Sequence, residues 1–365
     1  MGNSEAPPYV AHKSDRNLKA AVNGLCYGIK TMRMKDLPVQ RADVDRVNEW
    51  RKTLPNPSAA SDGEIVAVLR NSMELTGDLF RNHLVVSSAA AGPPSFLSKM
   101  CNEKLKDPAL LPSLLGGAGN VSSAAPSDRL WELGRLVRES ADLTAIFDPG
   151  IVGLQDRLRN YQSPDTAKFN AAFASFLDEH GCRGPNEWET ACPTWGTDPD
   201  LALVLVDRMR AADSDHAPAQ RHVLLVAERE RALAVADAKL SNFGRRWLRR
   251  LIASASMYAQ GREQAKTTVV RAIHETRLLT RELGRRCAAR SGGKPDDLWF
   301  VTVDELDSYV ADPASFDAKV AERRAMRTYV ASLEPRSLSM VRCRRSRPGF
   351  DAPTSYPPRS LLVRS

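Results

Sequence analysis

Apolar residues recur at three- and four-residue steps along most of the chain between residues 62 and 290. Ile65, Val68, Leu69, Leu75, Leu79 and Phe80 set the pattern, and Leu130, Leu133, Leu136 and Val137 repeat it. This period suits one face of an α-helix and does not suit a strand, which needs alternation. The spacing predicts helices from Asp62, around Phe96, Leu97 and Met100, and from Ser127 as N-cap. It predicts more near Asn17–Leu25, near Ala42–Arg51, through Phe169, Phe173, Phe176 and Leu177, from Gln220 to Leu240, and from Trp247 to Arg290. The last has a possible break at Gly261 and a stop at Ser291-Gly292-Gly293. One short strand is expected over Leu298–Val303, followed by a capping box of Thr302 and Glu305. The expected fold is mainly α, an irregular multi-helix domain with that one strand. An irregular, proline-broken segment occupies residues 1–60 and the helical domain 61–340. A basic tail over 341–365, expected to be disordered, follows.

Charge supports that division. The formal net charge is +8, but Arg342, Arg344, Arg345, Arg347, Arg359 and Arg364 face only Asp351 in the tail, which therefore holds +5 of it. A basic tail is a footprint of nucleic-acid binding. Alternating Arg, Pro and Ser with few hydrophobic residues favours a solvated end, so a nucleic-acid partner is not expected. No apolar run is long enough for a bilayer span and no apolar leader opens the chain, so no membrane partner is expected and a cytoplasmic location is. The scattered cysteines, Cys26, Cys101, Cys182, Cys192, Cys287 and Cys343, are expected to be reduced thiols.

One stretch departs from the helical period. HGCRGPNEWETACPTW, His180–Trp195, combines Gly181, Gly184 and Pro185 with Arg183, Glu187, Glu189 and two tryptophans. Ordering such a segment costs conformational entropy, and long connections of this kind often carry function. The preceding helix is expected to end at Phe176 or Leu177, and the next to begin at Asp198-Pro199 with Asp198 as its cap. Trp188 and Trp195 could line a ligand pocket or wedge the loop onto helices. Arg183 and Glu187 could bind a polar ligand or pair with each other, and the ion pair is the stronger expectation. Arg262, Glu263, Lys266 and Arg271 on the long helix are the complementary polar candidates. The loop is expected to pack on the helix around Arg262–Arg271 and to wall the main pocket.

Standard catalytic templates are missing. There is no phosphate-cradling GxxxxGK[ST], no complete dinucleotide fingerprint around Gly117-Ala118-Gly119 and no GxSxG elbow. His274-Glu275 begins an HExxH pattern but Leu278 replaces the second histidine, so the pair is expected on a solvated helix face. His180, Cys182 and Cys192 lack the spacing of a zinc site, and no metal is expected. No catalytic residue is assigned.

Two segments nevertheless carry a family resemblance: FLDEHGCRGPNEWETACPTWGTDPDLAL, Phe176–Leu203, and GREQAKTTVVRAIHETRLLTRELGRRCAARSGGKPDDLWFVTVDEL, Gly261–Leu306. GNVSSAAPSDRLWELGRLVRES, Gly119–Ser140, carries it more faintly. Together they resemble the phosphoenolpyruvate-utilising phosphotransferases, especially phosphoenolpyruvate synthases and rifampicin phosphotransferases. The resemblance implies the helical region between an ATP-grasp nucleotide-binding domain and a mobile phosphohistidine domain, the part that binds the antibiotic in the rifampicin enzymes. No histidine here stands in the Thr/Ser-x-His context with flanking small residues that the phosphocarrier needs, and no ATP-grasp glycine loop precedes Asp62. The implied function is therefore a substrate-binding or scaffold region, truncated relative to the kinases it resembles and inactive alone. No cofactor is expected in this chain; ATP and Mg would belong to the nucleotide-binding domain. A separate polypeptide carrying the ATP-grasp and phosphohistidine domains is the implied partner, with a small-molecule ligand. The alternative is a stand-alone ligand-binding or regulatory protein derived from such an enzyme.

Overall fold

A computed structural model describes residues 34–117 and 125–333, and the described residues are mainly α-helical with no strand. The expected helix at Asn17–Leu25, Ala118 and Gly119 of the glycine loop and the basic tail fall outside them. The helices are α1 (Pro38–Lys52), α2 (Asp62–Ala90), α3 (Gly92–Met100), α4 (Leu110–Leu115), α5 (Ala125–Glu139), α6 (Ala141–Phe147), α7 (Leu154–Asn160), α8 (Pro164–His180), α9 (Asp200–Ala211), α10 (Pro218–Lys239), α11 (Asn242–Ser291), α12 (Leu306–Ala311) and α13 (Asp317–Ser332).

The 50-residue α11 is the spine, about 75 Å long at 1.5 Å per residue. Ser241 caps its start, its Oγ accepting from the Gly244 amide at 3.3 Å. Gly292 stops it in the left-handed conformation, φ 75°, where a β-carbon would be strained. The helix runs through Gly261 without a break. A glycine costs about 1 kcal/mol in a helix interior. Here Gly261 is buried and faces Leu37, whose side chain occupies the space a β-carbon would take.

Apolar clusters pack the other elements on the spine, and a further one forms a lobe of its own. Ile65, Val66 and Leu69 of α2 pack with Leu279, Leu283 and Cys287 of α11, and with Leu306, Tyr309, Phe316 and Val320. Leu97, Cys101, Leu105 and Leu114 pack with Ala232 and Ala236 of α10 and Leu248, Leu251 and Ile252 of α11. Another cluster belongs to α5–α9, a separate lobe built on Leu133, Val137, Phe147, Phe169, Phe173, Phe176, Leu203 and Val206. Phe147, Phe169, Phe173 and Phe176 form a run of ring contacts with centroids 5.5–6.2 Å apart.

The structure corrects several local expectations. Pro295–Phe300 is a 3-10 turn, not a strand. A lone strand would leave its backbone groups unpaired. The turn instead buries Leu298 on the end of α11, and Arg323 donates to the Phe300 carbonyl at 2.7 Å. The following capping box is present, with the Thr302 amide donating to Glu305 Oε2 at 3.0 Å. Ser127 lies inside α5 rather than capping it. α8 continues to His180 because its buried ring packs on Phe176. Pro199, not Asp198, precedes α9, and no side chain caps that helix. Pro38 opens α1 rather than interrupting it, and Val47 buries that helix against Leu75, Leu79, Val269 and Ala272.

Candidate functional site

The loop between α8 and α9 joins the α5–α9 lobe to the spine. Two backbone bonds zip its ends together: Trp195 N–H to the Arg183 carbonyl and Gly196 N–H to the Gly181 carbonyl, both 2.8 Å. Gly196 then lies flat on the His274 imidazole. A β-carbon there would come within 3.1 Å of the ring, tighter than ordinary carbon contact distances of about 3.5–4.0 Å.

Beneath the loop, Arg277 of α11 is fully buried. Its Nε donates to the Thr190 carbonyl at 3.0 Å, and its Nη2 to the Glu187 and Glu189 carbonyls at 3.1 and 3.0 Å. A planar guanidinium with five donors suits a loop that turns its carbonyls inward. Burial lowers the pKa of Arg277, and Cys182, Cys192 and Glu189 oppose that. One turn away, His274 is buried, with Nδ1 3.1 Å from Thr194 Oγ1 and 3.4 Å from Arg277 Nη1. This corrects the expectation of a solvated His274-Glu275 face. Glu275 is also engaged, accepting from Arg51 Nε at 2.5 Å.

The loop's own charges are joined to the spine as well. Glu187 is 6% exposed. Its Oε2 accepts from Arg183 Nε at 2.7 Å and its Oε1 pairs with Lys266 Nζ at 2.8 Å. Arg183 Nη1 reaches Thr267 Oγ1 at 3.2 Å. Arg271 Nη2 donates to the Glu179 carbonyl at 3.1 Å, near the end of α8. Glu189 pairs with Arg327 of α13 at 3.5 Å.

The tryptophans part company. Trp195 packs into the α5–α9 core, its ring 5.4 Å from Phe176. Trp188 crosses to α2, 5.9 Å from Phe80 edge-on and 5.5 Å from His83. Five of the eight sequence candidates therefore converge on the loop–spine contact: Arg183, Glu187, Lys266 and Arg271, with Trp188 at its edge. Trp195 anchors it from the lobe side. Arg262 and Glu263 pair with each other at 3.0 Å, with Arg262 half-exposed. His180 and Cys182 are buried beside the loop, while Cys192 accepts weakly from Asn186 at 3.5 Å. Burial pushes the Cys182 thiol up and the His180 and His83 imidazoles down.

The loop packs where the sequence placed it, but it does not wall the cavity found beside it. That cavity, about 180 Å³, lies between α1 and α11 and is lined by Val44, Val47, Asn48, Gln264, Thr267, Thr268 and Arg271. Arg271 alone of the eight candidates lines it. Trp195 is committed to the lobe core and the Glu187 carboxylate to two cations, so neither is turned toward a cavity.

Residues 82–263 match the model of the rifampicin phosphotransferase fourth domain. The chain carries a helical region of the phosphoenolpyruvate-utilising phosphotransferase type. In this phosphotransferase-like region the loop falls wholly within the matched residues, whereas Lys266, Arg271, His274 and Arg277 lie just beyond them. Among curated proteins the chain is similar to an uncharacterised protein of Mycobacterium bovis and to two of Mycobacterium tuberculosis. Each is 25% identical over 346 residues, which cover 91% of this chain and 35% of the relative. The chain thus spans about a third of the length of the curated relatives it matches.

Arg277, His274 and Thr194 were not identified as site residues from sequence. A signal existed: Val270, His274 and Arg277 fall on one helical face, which should have marked the two polar residues as inward-facing.

Burial of His274 has a measurable consequence. Desolvation, then Arg277 and Arg51, lowers its pKa from 6.5 to about 4. The unfolded chain therefore binds a proton that the folded one refuses between pH 6.5 and 4. Stability contributed by the neutral ring is complete above pH 6.5 and is lost as pH falls through that window, amounting to about 3 kcal/mol at its lower end. Urea unfolding from pH 7 to 4 should show this slope, and His274→Gln should flatten it relative to wild type. His83 and His180 shift in the same direction and remain in the variant. An unchanged slope in His274→Gln would refute the assignment.

Proposed function

We propose that this chain serves as the helical substrate-binding and scaffold region of a phosphoenolpyruvate synthase-like phosphotransferase. In this reading it acts with ATP-grasp and phosphohistidine domains, whichever polypeptide carries them, and performs no phosphoryl transfer by itself. The observation that carries the reading is the match of residues 82–263 to the rifampicin phosphotransferase fourth domain, over a segment that contains the loop clamped on α11.

Physical chemistry supports the division of labour. Phosphoryl transfer needs a cradle for the phosphates and a charge-neutralising metal, with a histidine acceptor where the phosphate is relayed. Of the histidines with described side chains, His180 and His274 are buried and His83 is half-buried against Trp188. His222 is exposed on α10, without the small-residue context of a phosphocarrier. A rigid loop–helix junction suits a frame that holds a substrate in register with a moving domain. ATP and Mg are assigned in this proposal to the nucleotide-binding domain, and the site of action to the cytoplasm. The test is phosphoryl transfer from labelled ATP, measured with the chain alone and with the chain added to the ATP-grasp and phosphohistidine domains.

A further inference from the structure

The outer face of α2 is apolar where a surface helix is usually polar. Met73, Phe80 and Leu84 are 58, 44 and 50% exposed. Met73, Gly77, Phe80 and Leu84 stand at i, i+4, i+7 and i+11, the seam that one helix presents to another. Nearer the start of α2, Val66 and Leu69 continue this face and are buried with Leu306, Tyr309 and Phe316. Past Leu69 that cover stops, and Trp188 touches the seam at Phe80. Gly77 disfavours a helix interior, and a β-carbon there would meet nothing within 4 Å among the described residues. It leaves a gap in the middle of the seam.

The sequence holds a second seam of the same spacing. Leu18, Val22, Leu25 and Ile29 stand at i, i+4, i+7 and i+11, in and just after the helix expected at Asn17–Leu25. Each seam spans about 16 Å at 1.5 Å per residue. The path of the chain brings them together. The described residues begin at Met34, whose sulfur accepts from the Tyr258 hydroxyl at 3.2 Å. Tyr258 is buried with Val86 and Ala89 at the end of α2, just past Leu84. Residues 30–33 join Ile29 to Met34 and reach about 16–18 Å when extended, more than a helix diameter of about 10 Å. We propose that residues 18–29 form a helix packed on the outer face of α2 and parallel to it. Ile29 lies on Leu84, Leu25 on Phe80 and Leu18 on Met73, and Val22 enters the gap at Gly77. The same helix covers the exposed edge of Trp188 and braces the loop from outside. The proposal does not depend on the functional reading above.

Amide hydrogen exchange on the full chain, read peptide by peptide, tests it. A helix this short is marginal in water without a packing surface, so protection over residues 18–29 reports the docking. Exchange there is expected to be slowed about tenfold or more relative to an unstructured segment. Phe80→Asp with Leu84→Asp, both at exposed positions, should return it to within about twofold of the unstructured rate. Gly77→Gln should do the same by filling the gap with a polar side chain that nothing among the described residues obstructs. Both variants should keep the wild-type circular dichroism of the helical body. Should the double variant unfold, Gly77→Gln alone decides. Unprotected residues 18–29 in the wild type overturn the proposal, as does protection kept in either folded variant. A wild-type dimer in sedimentation that the double variant dissociates, with residues 18–29 exchanging freely, would put a second copy on this face and overturn it too.

Discussion

Arg277→Met is expected to destabilise the protein by about 3–5 kcal/mol, because it strands several buried carbonyls at once. The Thr190, Glu187 and Glu189 carbonyls all accept from this one guanidinium, and Arg277 is fully buried. The loop should loosen before the helices do, since it has no hydrogen-bond ladder of its own and its other ties to α11 are single side-chain bonds at Glu187, Arg183 and Thr194. Arg277→Lys should fall between, as an ammonium cannot span carbonyls arranged around a planar fork. Urea unfolding gives the stability change, and limited proteolysis within residues 183–197 reports the loop. A loss below about 1 kcal/mol, the net worth of a single hydrogen bond, would show that the clamp does not hold the loop.

Glu187→Gln is the second large effect. The carboxylate is buried between Arg183 and Lys266, whose side chains are 14% and 29% exposed. Removing its charge leaves two cations close together with nothing between them, at a cost of about 2–4 kcal/mol. The ion pair, rather than bulk, is the cause if the loss shrinks when both cations are also made methionine. A double-mutant comparison isolates that coupling. A Glu187→Gln loss that is the same with and without the cations would contradict the account.

These two residues also show what the sequence could and could not tell. The helices were legible because their apolar faces repeat every three to four residues, and this signal survives without partners. Glu187, Arg183 and Lys266 could be brought together because the loop's composition and the family resemblance pointed to the same helix. The clamp by Arg277 was not seen, because its partners are carbonyls and every residue has one. The turn at Pro295–Phe300 read as a strand because Leu298, Trp299, Phe300 and Val301 have strand-like side chains. What decides the matter is that no neighbouring strand stands there among the described residues, which is a tertiary fact. The fate of the tryptophans was likewise open: Trp195 entered the lobe core and Trp188 lay on α2 because packing surfaces stood at those distances. The α1–α11 cavity had no sequence signature, since its faces, Val44–Asn48 and Gln264–Arg271, lie far apart in the chain and each reads as an ordinary amphipathic helix.

The proposed scaffold role is tested most directly by following labelled phosphate. The purified chain is incubated with labelled ATP or phosphoenolpyruvate, alone and then with the ATP-grasp and phosphohistidine domains. The account predicts no ATP hydrolysis and no acid-labile label on the chain alone, and faster transfer from the phosphohistidine domain when the chain is added. Stoichiometric label on any histidine of the chain by itself, or no effect of the chain on transfer, would contradict it.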